Sequence, residues 1–255
     1  MATYIIGDIH NSLIKFNEIL EMVSPSTQDS IYLLGDLFDR GGAEPDPVGV
    51  YFKASGLNTN VTWIRGNHDQ MLAEYIYLYY GASEKKRKKL RSYRYNSFDL
   101  MKERLVEIDM LNLADVIMKM PLQVELEVGS TKYLFAHAMT FDPSDGKQKP
   151  EAYMEGVIPL NDYHQNGVNG YVSMVGHMDS SYMCRAEYGE YLDGRSDSIW
   201  KNKKNTLYLM DCGCGLPNGR LACMCLETGE RFYSSPDGII SGNYRKRMVL
   251  RKSSL

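Results

Sequence analysis

The sequence lacks the features that would place it in a membrane or on nucleic acid. No apolar run approaches the roughly 20 residues of a membrane-spanning helix, and the amino terminus enters a strand pattern without a charged and then apolar leader. The net charge is only -3, so the chain has no overall electrostatic footprint for nucleic acid or an anionic membrane. We therefore expect a cytoplasmic protein with no nucleic-acid or membrane partner.

The five cysteines cannot form a complete disulfide framework, because their number is odd. Four of them form two C-x-C pairs, Cys212 with Cys214 and Cys223 with Cys225, around the turn 216–219. Side chains alternate along a strand, so this spacing puts both members of a pair on one face, where four thiolates could bind zinc. Zinc sites normally have a longer spacer between paired cysteines, and we favour buried packing residues over that alternative.

Composition indicates a single folded domain over residues 1–255. Hydrophobic residues make up 44% of the chain and charged residues 24%, a balance typical of soluble globular proteins. The segment 79–120 contains helical patterns and the basic run 84–91, and we expect it to be a helical insertion. Tyr93 and Tyr95 within it are expected to be packing residues, because no alternation of basic and aromatic residues continues beyond them.

The first part of the chain alternates apolar strands with helical patterns. Strands are expected at Thr3–Ile6, Ile31–Leu34 and Val61–Ile64, with helices at Ser12–Val23 and Pro45–Ala54 between them. Such β-α-β units form parallel sheets whose ligands gather beyond the carboxyl ends of the strands.

The remainder combines helices, strands and a long loop. We expect helices at 70–80 and 98–120, strands at 122–128, 132–136 and 171–175, and a loop over 141–170. Strands at 206–210, 221–226 and 231–233 are expected to form a closing antiparallel meander. The basic tail 244–255 is expected to be loosely held at the surface.

Polar side chains recur where these strands end. A lone histidine is usually structural, but four of the five histidines stand at strand-to-loop junctions, in the same topological position as three oxygen ligands. The residues are Asp8, His10, Asp36, Asn67, His68, His137 and His177. Mixed nitrogen and oxygen donors suit Mn, Fe or Zn, and this number of ligands fits two metals that share a carboxylate.

Five ordered blocks of the chain resemble the signature blocks of the calcineurin-like metallophosphoesterases. The blocks are Gly7-Asp8-Ile9-His10, Gly35-Asp36-Leu37-Phe38-Asp39-Arg40-Gly41, Arg65-Gly66-Asn67-His68-Asp69, His137-Ala138 and Gly176-His177. The ending Asp39-Arg40-Gly41 is similar to the phosphoprotein phosphatase branch, which includes bacterial serine/threonine phosphatases and symmetrical dinucleoside tetraphosphatases. The resemblance implies an α/β fold, a four-layer αββα sandwich of two mixed sheets.

The resemblance also implies a two-metal centre with divalent ions, Mn first and Fe or Zn as alternatives. It implies Asp8 and His10 on one metal, Asp36 bridging, and the second metal on Asn67, His137 and His177. The nucleophile would be a hydroxide activated by the two metals.

Four further residues are implied to act on the phosphate ester. His68 would protonate the leaving oxygen, and Asp39 would orient His68 and keep it cationic. Arg40 and Arg65 would bind the non-bridging phosphate oxygens as forked donors.

The resemblance therefore implies a phosphoester hydrolase, with phosphoserine or phosphothreonine proteins as the leading substrate. Dinucleoside polyphosphates or other small phosphoesters are the alternative substrate, and a non-catalytic metal-binding regulatory module is the alternative role. No arginine lies between His137 and His177, where protein phosphatases of this branch usually have one, and this counts against a protein substrate. Asn11 stands where the family usually has glycine.

Overall fold

A computed structural model describes residues 1–183 and 187–236 and contains two β-sheets. The strands are β1 (Thr3–Ile6), β2 (Ser30–Leu33), β3 (Asn60–Trp63), β4 (Gln123–Val128), β5 (Thr131–Ala136), β6 (Val172–Val175), β7 (Gly189–Tyr191), β8 (Trp200–Asn202), β9 (Leu207–Leu209), β10 (Ala222–Cys225) and β11 (Arg231–Tyr233). The predicted tail 244–255 lies outside the described residues.

The helices lie mainly in the first two thirds of the chain. They are α1 (Leu13–Val23), α2 (Pro47–Ser55), α3 (Asn67–Gly81), α4 (Glu84–Arg87), α5 (Ser97–Lys102), α6 (Glu107–Lys119), α7 (Pro150–Glu155) and α8 (Asn161–Asn166). No helix within residues 1–183 and 187–236 has the length and apolar character needed to cross a membrane.

Both sheets are mixed, as predicted. The first has the order β11-β10-β1-β2-β3, with β1, β2 and β3 parallel and β10 antiparallel to β1. The second has the order β4-β5-β6-β9-β8-β7, with β5, β6 and β9 parallel. Each sheet therefore has three neighbouring parallel strands, and their carboxyl ends can carry one site.

Apolar packing forms four layers. One core cluster, which includes Ile5, Leu34 and Phe135, lies between the sheets. A second, which includes Ile6 and Leu33, packs the other face of the first sheet against helices, because successive strand residues face opposite sides. A third packs the second sheet around Trp200 and Tyr163, the latter from α8. This αββα arrangement confirms the predicted fold class.

The prediction of one continuous helix over 98–120 was wrong, because the helix is interrupted between α5 and α6. Ile108, an apolar residue at the start of α6, is 60% exposed. The buried positions are Phe98 and Met101 in α5, followed by Met110, Leu113, Ala114 and Ile117 in α6. The two sets do not share one helical phase, so two short helices bury them where one continuous helix could not.

Two other expectations for the second half were wrong. The loop predicted over 141–170 contains α7 and α8, each of six residues. The three strands of the predicted closing meander are divided between the sheets. Strand β9 pairs in parallel with β6, whereas β10 and β11 pair with each other in antiparallel orientation. Strands β7 and β8 were not predicted, because three residues are too few to show an alternating pattern.

Candidate metal centre and active site

All six predicted metal ligands lie together beyond the carboxyl ends of the parallel strands. Asp8, Asp36 and Asn67 follow strands of the first sheet, and His137 and His177 follow strands of the second. The described chain contains two groups of metal-type ligand atoms. Within each group, all the ligand atoms lie within 4.8 Å of one another. The first is Asp8, His10 and Asp36, and the second is Asp36, His137 and His177. Asp36 belongs to both groups, the position expected of a bridging ligand.

Asn67 links the two histidines of the second group. Its Oδ1 lies 3.0 Å from Nε2 of His137 and 3.1 Å from Nδ1 of His177. The Oδ2 atom of Asp36 is 3.3 Å from the same His137 nitrogen. The amide oxygen, two imidazole nitrogens and a carboxylate oxygen therefore converge on one small volume.

Hydrogen bonds to backbone carbonyls orient two of the imidazoles for metal binding. Nδ1 of His10 lies 3.0 Å from the Phe38 oxygen, and Nδ1 of His137 lies 2.8 Å from the Leu34 oxygen. A carbonyl oxygen only accepts, so Nδ1 carries the hydrogen and Nε2 is the nitrogen that each ring can offer to a metal once it is deprotonated. The donor set and these outer contacts fit divalent metals.

The site concentrates buried negative charge. Burial and the neighbouring Asp211 raise the pKa of Asp8 well above its usual value, and burial raises the pKa of Asp211 to about 6. Burial lowers the pKa of both His10 and His177 to about 4. Neutral imidazoles beside repelling carboxylates favour a bound cation.

His137 and Asp36 shift each other's pKa in the direction opposite to the effect of burial. Burial disfavours charge on both residues, but the charge of Asp36 raises the pKa of His137 to about 10, and His137 lowers the pKa of Asp36. A divalent cation bound at Asp36 would replace the proton on His137 as its charge partner.

The site loops carry much of the unusual backbone of the described chain. Left-handed φ angles occur at His10 (49°), Asp36 (49°), Asp39 (68°), Arg40 (62°) and His177 (64°). Each such conformation in a residue other than glycine costs of order 1–3 kcal/mol, so the surrounding contacts must hold it. Gly66 and Gly176 permit the close approach of the loops, because a Cβ atom there would collide with the carboxylates of Asp36 and Asp8.

Asp69 holds the bridging loop, a role that the sequence did not indicate. Its fully buried carboxylate accepts the backbone N–H groups of Asp36 (2.9 Å), Leu37 (2.9 Å) and Gly66 (3.0 Å). Burial raises its pKa to about 7, although these bonds oppose the rise. One side chain thus ties the loop after β2 to the loop after β3.

Replacing Asp69 by Asn is expected to lower the free energy of unfolding by about 2–3 kcal/mol. The two carboxylate oxygens of Asp69 accept three backbone N–H groups, whereas asparagine has one acceptor oxygen and an NH₂ group in place of the other. Chemical denaturation of the metal-free protein measures the change. The exposed Asp99→Asn is the matched control, and equal unfolding midpoints for the two variants would show that Asp69 does not hold the loop.

His68 and Asp39, which are predicted to act as an acid pair, are in hydrogen-bond contact. Nδ1 of His68 lies 3.0 Å from Oδ2 of Asp39, and both side chains are almost fully buried. Arg40 lies across the entrance, with Nη2 3.2 Å from Nε2 of His68 and Nη1 3.3 Å from Nε2 of His10. The guanidinium of Arg40 therefore lies between His68 and the candidate ligand His10, where a bound phosphate oxygen would need it.

Arg65 has different surroundings from Arg40. Its Nη1 donates to the Met118 oxygen at 3.3 Å, and its buried Nε has no hydrogen-bond partner among the described residues. Burial lowers the pKa of its guanidinium. The predicted contact of Arg65 with phosphate stays a prediction.

Tyr93 packs against the apolar core, as expected, and the segment 93–97 also contacts His68 and Asp39. The Tyr93 hydroxyl donates to Oδ2 of Asp39 at 2.7 Å, and the Tyr95 ring lies 4.4 Å from that of His68. The backbone N–H of Asp39 donates to Oγ of Ser97 at 2.6 Å. These residues are far from Asp39 in sequence and follow no known motif, so sequence gave no signal for them.

The cysteines are packing residues in the described part of the chain. Cys212 lies in the core between the sheets, whereas Cys214 and Cys223 lie in the core beneath the helices. Neither candidate metal group contains a cysteine. Cys212 and Cys214 therefore do not share a face, and the zinc alternative finds no support.

Comparison with known proteins finds curated relatives in which about one third of the aligned residues are identical. The curated relatives include symmetrical bis(5'-nucleosyl)-tetraphosphatases from Pectobacterium atrosepticum, 32% identical over 140 residues, and Erwinia tasmaniensis, 33% identical over 141 residues. Each alignment covers 54% of this chain, but only 43% and 44% of the respective relatives. The chain thus spans less than half the length of these curated relatives.

Solved structures share the fold at low identity. A putative diadenosine tetraphosphatase has a TM-score of 0.58 and 18% identity, with 92% of this chain and 93% of that chain covered. A serine/threonine phosphatase from Saccharomyces cerevisiae has a TM-score of 0.52 and 13% identity, with 92% and 80% covered. The family model described as calcineurin-like phosphoesterase matches residues 1–213. This chain belongs to the calcineurin-like phosphoesterase family.

Proposed function

We propose that the protein is a dinuclear metal-dependent hydrolase of small phosphoesters, with dinucleoside polyphosphates as its substrate class. The observation that carries the reaction type is the shared Asp36 between two ligand groups, with the His68–Asp39 pair beside them. The substrate class is supported by the relatives, which are named symmetrical tetraphosphatases. We had expected a phosphoprotein substrate first, but these relatives favour the small phosphoester.

Two divalent metals would be held by Asp8, His10, Asp36, Asn67, His137 and His177. When bound, they would activate a water molecule and neutralise the phosphate oxygens. The mixed nitrogen and oxygen donors suit Mn, with Fe or Zn as alternatives.

The other side chains would bind the phosphate and supply a proton. Arg40 has two guanidinium donors, beside Nε2 of His10 and of His68, that would hold the non-bridging oxygens of the scissile phosphate. His68 would donate a proton from Nε2 to the leaving oxygen, while Asp39 fixes the ring through Nδ1. These roles need no covalent phosphoenzyme.

A cationic surface beside His68 supports a substrate with more than one phosphate. Arg94 lies 5.3 Å above the ring of Tyr95, and that ring also contacts the ring of His68. Arg91, Ser92 and Arg94 line a cavity of about 430 Å³. Neither guanidinium is paired with a carboxylate in the described chain. The surface suits the distal phosphates of a polyphosphate chain, or its nucleoside.

A panel of substrates tests the proposal. The purified protein with added manganese is assayed on p-nitrophenyl phosphate, diadenosine tetraphosphate and a phosphoserine peptide. We expect hydrolysis of the first two and a kcat/KM at least about tenfold higher for the tetraphosphate than for the peptide, corresponding to about 1.4 kcal/mol of transition-state binding. A higher value for the peptide would favour the protein phosphatase instead. Binding of two metals without any hydrolysis would favour a non-catalytic module.

Arg94→Ala is expected to raise KM for diadenosine tetraphosphate about tenfold and to leave KM for p-nitrophenyl phosphate unchanged, because only the longer substrate would reach that cation. Steady-state kinetics on both substrates measures the split. The matched control is Lys88→Ala, which removes an exposed cation that is paired with Glu84 within the basic run 84–91. An equal rise in KM for both variants would reduce the effect to general surface charge.

A further inference from the structure

The segment 93–97 packs on the loop that carries Asp39 and the proposed phosphate-binding residue Arg40. It approaches this loop from the start of α5, more than fifty residues along the chain, and contacts each of its key residues. Tyr93 and Ser97 bond Asp39, and the Asn96 side chain donates to the Arg40 oxygen at 2.6 Å. The loop residues Asp39 and Arg40 both have left-handed φ angles, so they need such support.

Tyr93 and His68 share one oxygen atom. The hydroxyl of Tyr93 and Nδ1 of His68 lie 2.7 Å and 3.0 Å from Oδ2 of Asp39. Ser97 holds the other oxygen, since its N–H lies 3.4 Å from Oδ1. With both oxygens bonded, the carboxylate of Asp39 cannot rotate freely, and the direction of the His68 ring is fixed by it.

Aromatic packing fixes Tyr93 in turn. Its ring lies 5.1 Å from Tyr75 and 6.4 Å from Phe98, and desolvation raises the pKa of its hydroxyl far above the usual value. The hydroxyl therefore remains a hydrogen-bond donor at any working pH. Its direction is set by a rigid aromatic cluster and not by solvent.

Asn11 connects the same segment to the first metal loop. It has a left-handed φ of 60°, which explains why asparagine can stand where the family usually has glycine. Unlike glycine, it adds a side chain whose Nδ2 donates to Oγ of Ser97 at 2.9 Å. Asn11 follows the ligand His10 directly, so Ser97 joins the first metal loop to the loop of Asp39.

We propose that Tyr93 is a positioning residue for the general acid. Its hydroxyl holds the Asp39 carboxylate in the one orientation that aims Nε2 of His68 at the leaving oxygen, and Ser97 and Asn11 brace that orientation. Tyr93 would act through its hydrogen bond to Asp39. The inference rests on the proposed acid role of His68 but not on the choice of a dinucleotide substrate.

Tyr93→Phe tests the role through its dependence on the leaving group. An aryl phosphate series runs from p-nitrophenyl phosphate, whose leaving group needs little protonation, to 4-methoxyphenyl phosphate, whose leaving group needs much. We expect kcat to fall less than about twofold for the first and about tenfold for the last, a part of the 10²–10⁴ that an aligned acid contributes. The KM values and the bound metal content should not change.

The control is Tyr75→Phe, which removes a hydroxyl from the same aromatic cluster. That hydroxyl donates to the Arg91 oxygen and does not contact Asp39. This variant should lower kcat equally for all members of the series, or not at all. An equal loss across the series for Tyr93→Phe, or no loss, would overturn the positioning role.

Two further measurements test the positioning role of Tyr93 separately from the proposed hydrolase function. In the Asp39→Ala background, Tyr93→Phe should have no additional effect on the series, because the two residues act through one bond. If the wild type hydrolyses no ester, the proton NMR signal of the His68 Nδ1–H in the metal-free protein still reports the contact. We expect this signal to move in Tyr93→Phe and to stay in place in Tyr75→Phe, and an unmoved signal would contradict the role of Tyr93.

Discussion

Asp36→Asn is expected to empty the metal centre and to reduce phosphoester hydrolysis by about 10³-fold, equivalent to about 4 kcal/mol of transition-state stabilisation. Asp36 is the only residue that belongs to both ligand groups in the described chain, so its charge supports both metals. The amide retains the size of the side chain and one acceptor for the His68 N–H, which Oδ1 of Asp36 accepts at 2.9 Å. Loss of metal would therefore follow from lost charge and not from a collapsed loop.

Metal analysis after dialysis, together with kinetics on p-nitrophenyl phosphate, measures this effect. The matched control is Asp145→Asn, which removes an equal charge from an exposed turn. A variant that keeps two tightly bound metals would contradict the bridging role of Asp36. If only one metal were lost, Asp36 would serve a single ion.

The first half of the fold could be predicted from local patterns. Each of the strands β1 to β3 carries its own apolar run and ends in a glycine-containing polar loop, so its position follows from its own residues. Parallel pairing then brings Asp8, Asp36 and Asn67 to one edge without further information. The predicted ligands depend on this arrangement, and the structure places them together.

The second half could not be predicted as well, because its elements are short and are defined by distant partners. The strand β9 has three residues, and nothing in them distinguishes pairing with β6 from pairing with β10.

The positions of the four cysteines in the C-x-C pairs also could not be predicted from local spacing. Their spacing suggests a shared face, but Cys212 and Cys214 lie around an irregular turn and point into different cores.

The support of the site was also hidden from the sequence. Asp69 and Tyr93 act through hydrogen bonds to residues about 30 and 54 positions away, and a single sequence contains no trace of such contacts. The candidate metal ligands occur in recognisable blocks, because a metal would require particular donor types. A residue that only orients another can be of many types, so its role follows from geometry alone.

His68→Ala is expected to remove most turnover while the metal content stays unchanged. His68 belongs to neither ligand group, and its contact with Asp36 is made by the backbone N–H, which alanine retains. Loss of a positioned acid costs about 10²–10⁴ in rate for leaving groups that need a proton, and much less for p-nitrophenyl phosphate. Kinetics on the aryl series and metal analysis of the same sample measure both quantities.

His137→Ala is the contrasting variant, because His137 lies in a ligand group and should lose metal together with activity. The pair of variants separates proton donation from metal binding within one centre. Loss of metal from His68→Ala would refute the acid role, and so would an equal loss of rate for good and poor leaving groups. A loss limited to poor leaving groups would show that the buried Asp39–His68 pair supplies the proton and that the residues around Asp36 supply the rest of the catalysis.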